Sequence, residues 1–244
     1  DNTSFNYLDS QLGLSKSQTT LTAGISATAT TVPVASVSGL SSSGKIKIGG
    51  EIIAYTGIAS LNLTGCTRGQ NITSATAHLS GAVTKEVVNI IAGLNHLEGQ
   101  TVSILADGAT HPDKVVSSNS ITLDRFATDV KIGLGYTSIL KTMRIDAGSQ
   151  DGTSQGKTKR IYEVTARLFE TVGVEVGPDL DNMERVPFRT SADPMDQGIP
   201  PFTGDKEVEF RGNYDTDGFM MVRQTQPLPL TLLSLYPRLV TNDG

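Results

Sequence analysis

Residues 93–108, which read GLNHLEGQTVSILADG, are the most informative stretch of this chain. Its second half alternates apolar and polar side chains, so that Val102 and Ile104 share one face, as in a half-buried strand. The dipeptide Asp107-Gly108 follows at once and is a strong signal for the two-residue turn of a hairpin. The stretch therefore predicts antiparallel β-structure.

Short alternating runs recur on the C-terminal side of this stretch, and turn-forming clusters separate them. The runs are 120–123, 130–134, 141–145, 208–210 and 219–222, and the turn clusters are 106–112, 117–119, 148–156 and 213–218. Many short strands separated by turns are typical of an antiparallel sandwich. The run 159–171 fits either a strand or one face of a helix, but its β-branched residues and the flanking glycines favour a strand.

Residues 19–84 differ from the rest because Thr, Ser, Ala and Gly dominate them. Within them, the alternating runs 45–48 and 51–55 flank Gly49-Gly50, which predicts a hairpin. We therefore expect an all-β protein, an antiparallel sandwich or barrel with a small inserted β-domain. Residues 1–18 would continue from a longer upstream chain, 19–84 would be the inserted domain and 85–244 the main domain.

The charge and cysteine content of the chain exclude several classes of protein. The 244 residues contain 20 Lys and Arg against 25 Asp and Glu, a formal net charge of -5, which argues against a main role in neutralising nucleic-acid phosphates. Cys66 is the single cysteine, so neither an internal disulfide nor a thiolate metal cage can form within one chain. No run of 18 apolar residues exists, which indicates no membrane-spanning helix.

No catalytic constellation is recognisable, and we expect neither an enzyme nor a bound cofactor or metal. The three histidines lie in separate motifs without metal-ligand spacing, and no Gly-x-Ser-x-Gly elbow occurs. Residues 215–218 read DTDG, like the start of a calcium loop, but the closing Glu is missing. A turn between strands at 207–211 and 219–223 explains this segment better.

Five blocks of sequence, in a fixed order, carry a resemblance to a known family. They are 93–108, 156–161 (GKTKRI), 186–190 (VPFRT), 202–206 (FTGDK) and 226–230 (QPLPL). In this order they resemble tail proteins of tailed bacteriophages, the nozzle or tail tubular protein B class of short-tailed phages. Residues 19–84 resemble small β-domains of phage structural proteins that are sometimes labelled by likeness to a half-domain of ubiquitin-activating enzymes. Cys66 has no nearby His, so we do not carry over any cysteine chemistry.

The resemblance implies a structural subunit of the virion tail that helps to form the channel for DNA ejection. It implies copies of the chain in a ring, a hexamer, together with other tail proteins and passing DNA that is not bound in a sequence-specific way. The subunit would be made in the cytoplasm of the bacterial host, without insertion into a membrane. The alternative is a binding module on the virion exterior for a host receptor or glycan. The chain has no Trp for sugar stacking, and Tyr162, Phe210 and Phe219 fall in strand patterns typical of a core.

Residues 178–203 carry five prolines and cannot form a regular element. Their apolar side chains must be buried, either by folding back on the chain or against a neighbouring subunit. We expect subunit contact for part of this stretch, with its acids facing the only basic run. The candidate interface residues are Phe188, Asp193, Met195, Asp196 and Phe202, with Lys157, Lys159 and Arg160 opposite.

Overall fold

The computed structural model describes residues 7–146, 156–193 and 198–242. Its regular structure is β apart from one 3-10 turn at Asn95–Leu97, which confirms the predicted all-β class. In chain order the strands are β1 (Leu8–Ser15), β2 (Gln18–Thr20), β3 (Thr31–Pro33), β4 (Gly44–Ile48), β5 (Glu51–Tyr55), β6 (Gly57–Ala59), β7 (Asn62–Thr64), β8 (Thr67–Gln70), β9 (Val83–Ala92), β10 (Thr101–Ala106), β11 (Ala109–Val115), β12 (Ser120–Ala127), β13 (Asp129–Gly135), β14 (Ser138–Lys141), β15 (Thr158–Thr171), β16 (Glu175–Gly177), β17 (Glu184–Arg185), β18 (Phe202–Glu209), β19 (Met221–Gln224) and β20 (Leu232–Asn242).

The stretch 93–108 forms the predicted strand and turn. Strand β10 lies beside β11 in a four-stranded sheet of order β1-β13-β10-β11, and Val102 and Ile104 are fully buried. Asp107 and Gly108 both have positive φ, of 50° and 75°, as the two central residues of a tight hairpin turn require. Local alternation and turn chemistry were therefore sufficient to predict this hairpin.

The chain divides into two compact units. The first, here called the N-terminal unit, comprises residues 12–107 and 113–132, and the second, the C-terminal unit, comprises residues up to 11, 108–112 and 133 onward. The N-terminal unit contains an antiparallel sheet of order β12-β9-β4-β5-β8, with β2 also paired to β9, and a smaller sheet of order β3-β7-β6. The hairpin predicted across Gly49-Gly50 is present as β4 and β5.

The N-terminal unit extends beyond the predicted inserted domain of residues 19–84. One cluster of buried apolar side chains in this unit lies wholly between Leu21 and Cys66, which fits a module with its own core. Residue 84, however, falls inside β9, and this strand continues the sheet to β12. Independent folding of 19–84 remains a prediction.

The C-terminal unit contains two antiparallel sheets, of order β14-β19-β16-β17 and β18-β15-β20. The central strand β15 is 14 residues long and confirms the strand predicted at 159–171. Its inward residues include Val164, Ala166 and Leu168, which are fully buried in the core of this unit. Since every sheet in the described residues has open edges, the arrangement is that of sandwich-like layers.

Two expectations for this unit are wrong. Tyr162 is not a core residue: β15 is bulged between Ile161 and Glu163, and the bulge leaves the Tyr162 side chain exposed. The hairpin across 213–218 is not formed either, because β18 pairs with β15 while β19 lies between β14 and β16. Within the connecting segment, Asp215 instead pairs with Lys159 of β15 through an isolated antiparallel backbone bridge.

Candidate functional site

The basic run predicted at the subunit interface does not form one charged surface. Lys159 is only 3% exposed, and its ammonium donates to the Thr216 carbonyl at 3.1 Å. Arg160 points to the other face of β15, where its Nε donates to the Gly212 carbonyl at 3.3 Å. Lys157 is half-buried at the start of the strand. Strand alternation thus separates side chains that are adjacent in sequence.

A cavity of about 290 Å³ lies in the C-terminal unit beside Lys159. Asp179 also lines it, but its carboxylate already accepts hydrogen bonds from the backbone amides of Asp181 and Asn182 and from the Asn182 side chain. These bonds lower the pKa of Asp179. The carboxylate therefore closes a local turn, and the cavity presents no nucleophile with an adjacent base.

The Pro-rich segment places its aromatic anchors against its own chain. Phe188 is buried in the core of the C-terminal unit, and the Phe202 ring packs on it at 6.2 Å between centroids. The Lys206 ammonium lies 4.7 Å from the centre of the Phe202 ring. Folding back over the core therefore buries Phe188 against its own chain, and subunit contact by the rest of the segment stays a prediction.

The acids predicted to face the basic run are only partly described. Asp193 accepts hydrogen bonds from the Thr190 amide at 2.7 Å and from its hydroxyl at 2.9 Å, and these lower the pKa of Asp193. Met195 and Asp196 lie outside the described residues. The pairing of Asp193 and Asp196 with the basic run of another subunit stays a prediction.

The acids of the 93–108 stretch are structural. Glu98 accepts hydrogen bonds from the amides of Ser118 and Asn119, at 2.8 and 2.7 Å. One carboxylate oxygen of Asp107 accepts from the Thr128 amide and hydroxyl and from the Asp129 amide. Both side chains therefore fasten a neighbouring turn to the hairpin, which explains acids at these positions without any catalytic role.

The sequence did not reveal the densest ionic cluster, which centres on Glu51 in the N-terminal unit. The buried Glu51 carboxylate binds Arg68 at 2.8 and 2.7 Å, lies 2.8 Å from His78 Nε2, and accepts the Gly69 and Thr76 amides. Burial alone would raise the pKa of Glu51, but the donated hydrogen bonds outweigh it and lower the pKa to about 2. The alternation of side chains along β5 could have indicated that Glu51 points inward, because Glu51, Ile53 and Tyr55 lie on the same face of that strand.

Cys66 and the segment that resembles a calcium loop also have structural contacts within the fold. Cys66 is buried, its thiol donates to the Leu63 carbonyl at 3.3 Å, and burial raises the pKa of that thiol. Asp217, in the segment that resembles a calcium loop, forms an ion pair with Arg144 at 3.1 Å. In the described ranges, no group of three or more His, Cys, Asp or Glu side chains could hold a metal ion.

Comparisons with known proteins add no family. A scan against protein-family models finds no match to this chain, and neither does a search of curated proteins. The described part of the chain contains no helix long and apolar enough to span a membrane.

Proposed function

We propose that this chain is a structural subunit of a bacteriophage tail, acting in a ring that extends the channel for DNA ejection. The observation that carries the proposal is the ordered series of sequence blocks between residues 93 and 230 that resembles the nozzle class of tail proteins. The use of the charged side chains supports it, because several clusters of hydrogen bonds to carboxylates fasten turns and strands. Those clusters centre on Glu51, Glu98 and Asp107.

This function needs rigid β-layers and surfaces that meet other subunits, and it needs no reaction. Long antiparallel strands with buried rows, such as β15, resist deformation because each residue is fixed by a neighbouring strand and by the core. The net charge of -5 suits a conduit past which DNA slides without adhering to phosphate-binding groups. The proposed partners are other copies of the chain and other tail proteins, and the proposed location is the virion tail after synthesis in the host cytoplasm.

Antibody labelling of phage particles tests this location. Antibodies raised against the purified chain, coupled to gold, should label intact or tail-disrupted particles at the tail in electron micrographs. Detection of the chain only in infected-cell lysate, and never in purified particles, would contradict the proposal.

A second function is favoured by one observation. Three aromatic side chains, Tyr162, Phe169 and Tyr236, are 43%, 46% and 47% exposed on strands β15 and β20. Exposed rings on an open sheet are the groups on which sugars stack, so an exterior glycan-binding module is the alternative. Binding to a glycan array that is lost in Tyr236→Ala, with an unchanged unfolding transition, would favour it over the tail-ring proposal.

A further inference from the structure

Two acids of the larger sheet of the N-terminal unit lie in its interior. Glu51 on β5 and Glu86 on β9 point inward and are 1% exposed. The third acid of this sheet, Asp124 on β12, is exposed and forms an ion pair with Lys114 at 2.6 Å. Glu51 is neutralised by Arg68, while Glu86 accepts the Ser41 amide at 3.2 Å and lies 3.5 Å from the Lys16 ammonium. The charges of Glu51 and Glu86 are therefore removed from the surface of this sheet.

The lysines of the same strands point the other way. Lys45 and Lys47 alternate with buried isoleucines on β4, and Lys47 lies directly opposite Lys85 on β9. Like charges in directly opposite positions destabilise a sheet. No described carboxylate lies within ion-pair distance of these three ammonium groups, and Lys45 instead donates to the Asn71 side chain at 2.7 Å. We name Lys45, Lys47 and Lys85 the cationic face.

The cationic face borders an apolar groove. A cavity of about 250 Å³ beside Lys45 is lined by Val87, Ile90 and Phe126, and Ile90 is well exposed. The Lys45 ammonium lies 4.3 Å from the centre of the Phe126 ring. The surface thus combines positive charge that no described carboxylate neutralises with a small apolar contact, and such charge favours a partner surface of opposite sign.

A surface of opposite charge lies on β18, an edge strand of the C-terminal unit. Asp205, Glu207 and Glu209 occupy alternate, exposed positions, while Val208 points into the core. Asp205 forms an ion pair with Arg167 at 2.8 Å, but no described cation lies within ion-pair distance of Glu207 or Glu209. Glu209 is also directly opposite Glu163, a second like-charge pair. We name Asp205, Glu207 and Glu209 the acidic strand.

The two surfaces match in spacing as well as in sign. Lys45 and Lys47 are two residues apart on one strand, as are Glu207 and Glu209, so both pairs of side chains stand about 6.7 Å apart. Beside Glu163 on the neighbouring strand, the exposed Tyr162 ring provides an apolar side chain for the groove. The cationic face thus offers positive charge and an apolar groove, and the acidic strand offers negative charge beside an exposed aromatic ring.

We propose that the cationic face of one copy of this chain docks on the acidic strand of a second copy. This contact joins two different surfaces, so it is head-to-tail, and repetition of such a contact closes a ring when the rotation permits. The inference rests on the proposed function as a ring subunit and names the surfaces that join the subunits. Nucleic acid is the less suitable occupant, because three lysines beside an apolar groove on a chain of net charge -5 would neutralise few phosphates.

Paired charge reversals of the full chain test this contact, with native mass spectrometry as the measurement. Lys47→Glu with Lys85→Glu should weaken assembly about 100-fold, and Glu207→Lys with Glu209→Lys should weaken it similarly, because like charges then face each other. An equimolar mixture of the two variants should assemble again, with the two alternating. The control matched to the glutamate reversals, Asp113→Lys with Asp181→Lys, makes the same change in net charge as they do at exposed acids elsewhere and should assemble as the wild type does.

Recovery on mixing also shows that both variants are folded. Oligomers of wild-type mass in both reversed variants would overturn the inference and leave the ring proposal standing. The same conclusion follows if the two variants fail to assemble on mixing although each keeps the wild-type thermal transition. A wild-type chain that stays monomeric at all concentrations would overturn the ring proposal itself. If the lysine reversals abolish retention of duplex DNA in a gel and leave assembly unchanged, nucleic acid is the occupant and the inference is wrong.

Discussion

The carboxylate of Glu51 and the guanidinium of Arg68 form a two-pronged ion pair, at 2.8 and 2.7 Å, inside the N-terminal unit. Arg68 also donates to the carbonyls of Ser26 and Thr76. The pair therefore connects β5 and β8 to the segment that follows β8 and to a loop that is distant in sequence. Since both partners are buried, loss of one leaves an uncompensated charge in the interior.

We expect Glu51→Gln to lower the free energy of unfolding by about 3 to 5 kcal/mol, because Arg68 would stay buried without its carboxylate. Chemical denaturation monitored by circular dichroism measures this change. The control is Glu98→Gln, which alters an acceptor in an exposed turn and should cost about 1 kcal/mol. Equal losses in the two variants would contradict the structural role assigned to Glu51.

The same carboxylate predicts a pH dependence of stability. The pKa of Glu51 is about 2 in the folded chain against an ordinary value of 4.5, so its contribution is complete above pH 4.5 and disappears as the pH falls toward 2. This difference corresponds to about 3 kcal/mol. The wild type should lose thermal stability in this window more steeply than Glu51→Gln, which lacks the titrating group. Parallel curves for the two proteins would contradict the prediction.

Cys66 should be chemically inert in the folded chain. Burial and the raised pKa of its thiol disfavour the thiolate, which is the reactive form. We expect a thiol reagent at neutral pH to label the native chain far more slowly than the unfolded chain, and Cys66→Ala to leave assembly and infectivity intact. Rapid labelling of the native chain, or a folded Cys66→Ala variant that cannot infect, would indicate cysteine chemistry.

The fold could be predicted where the signal is local. The alternation around Val102 and Ile104, and the Gly49-Gly50 turn, each specify a hairpin within a few residues. The same alternation could have shown that Lys159 shares the inward face of β15 with Ile161, so that the basic run cannot act as one patch. What local patterns could not provide is the pairing of strands distant in sequence, such as Lys47 on β4 with Lys85 on β9. The cationic face exists only through that pairing.

The remainder of the chain should stay folded when residues 19–84 are removed as a block. Their own core cluster, from Leu21 to Cys66, leaves with them, and the core of the C-terminal unit contains none of these residues. The cost is that β9 loses its pairing with β2 and β4. We expect the deletion, closed by a short Gly-Ser linker, to keep a cooperative thermal unfolding transition. A chain that unfolds gradually, without a transition, would show that 19–84 is an integral part of the fold.

Electron microscopy of the native assembly shows whether copies of this chain form the proposed ring. We expect closed rings of a single symmetry, a hexamer, with an open central channel wide enough for duplex DNA. Single subunits only, or assemblies without a channel, would contradict the ring proposal.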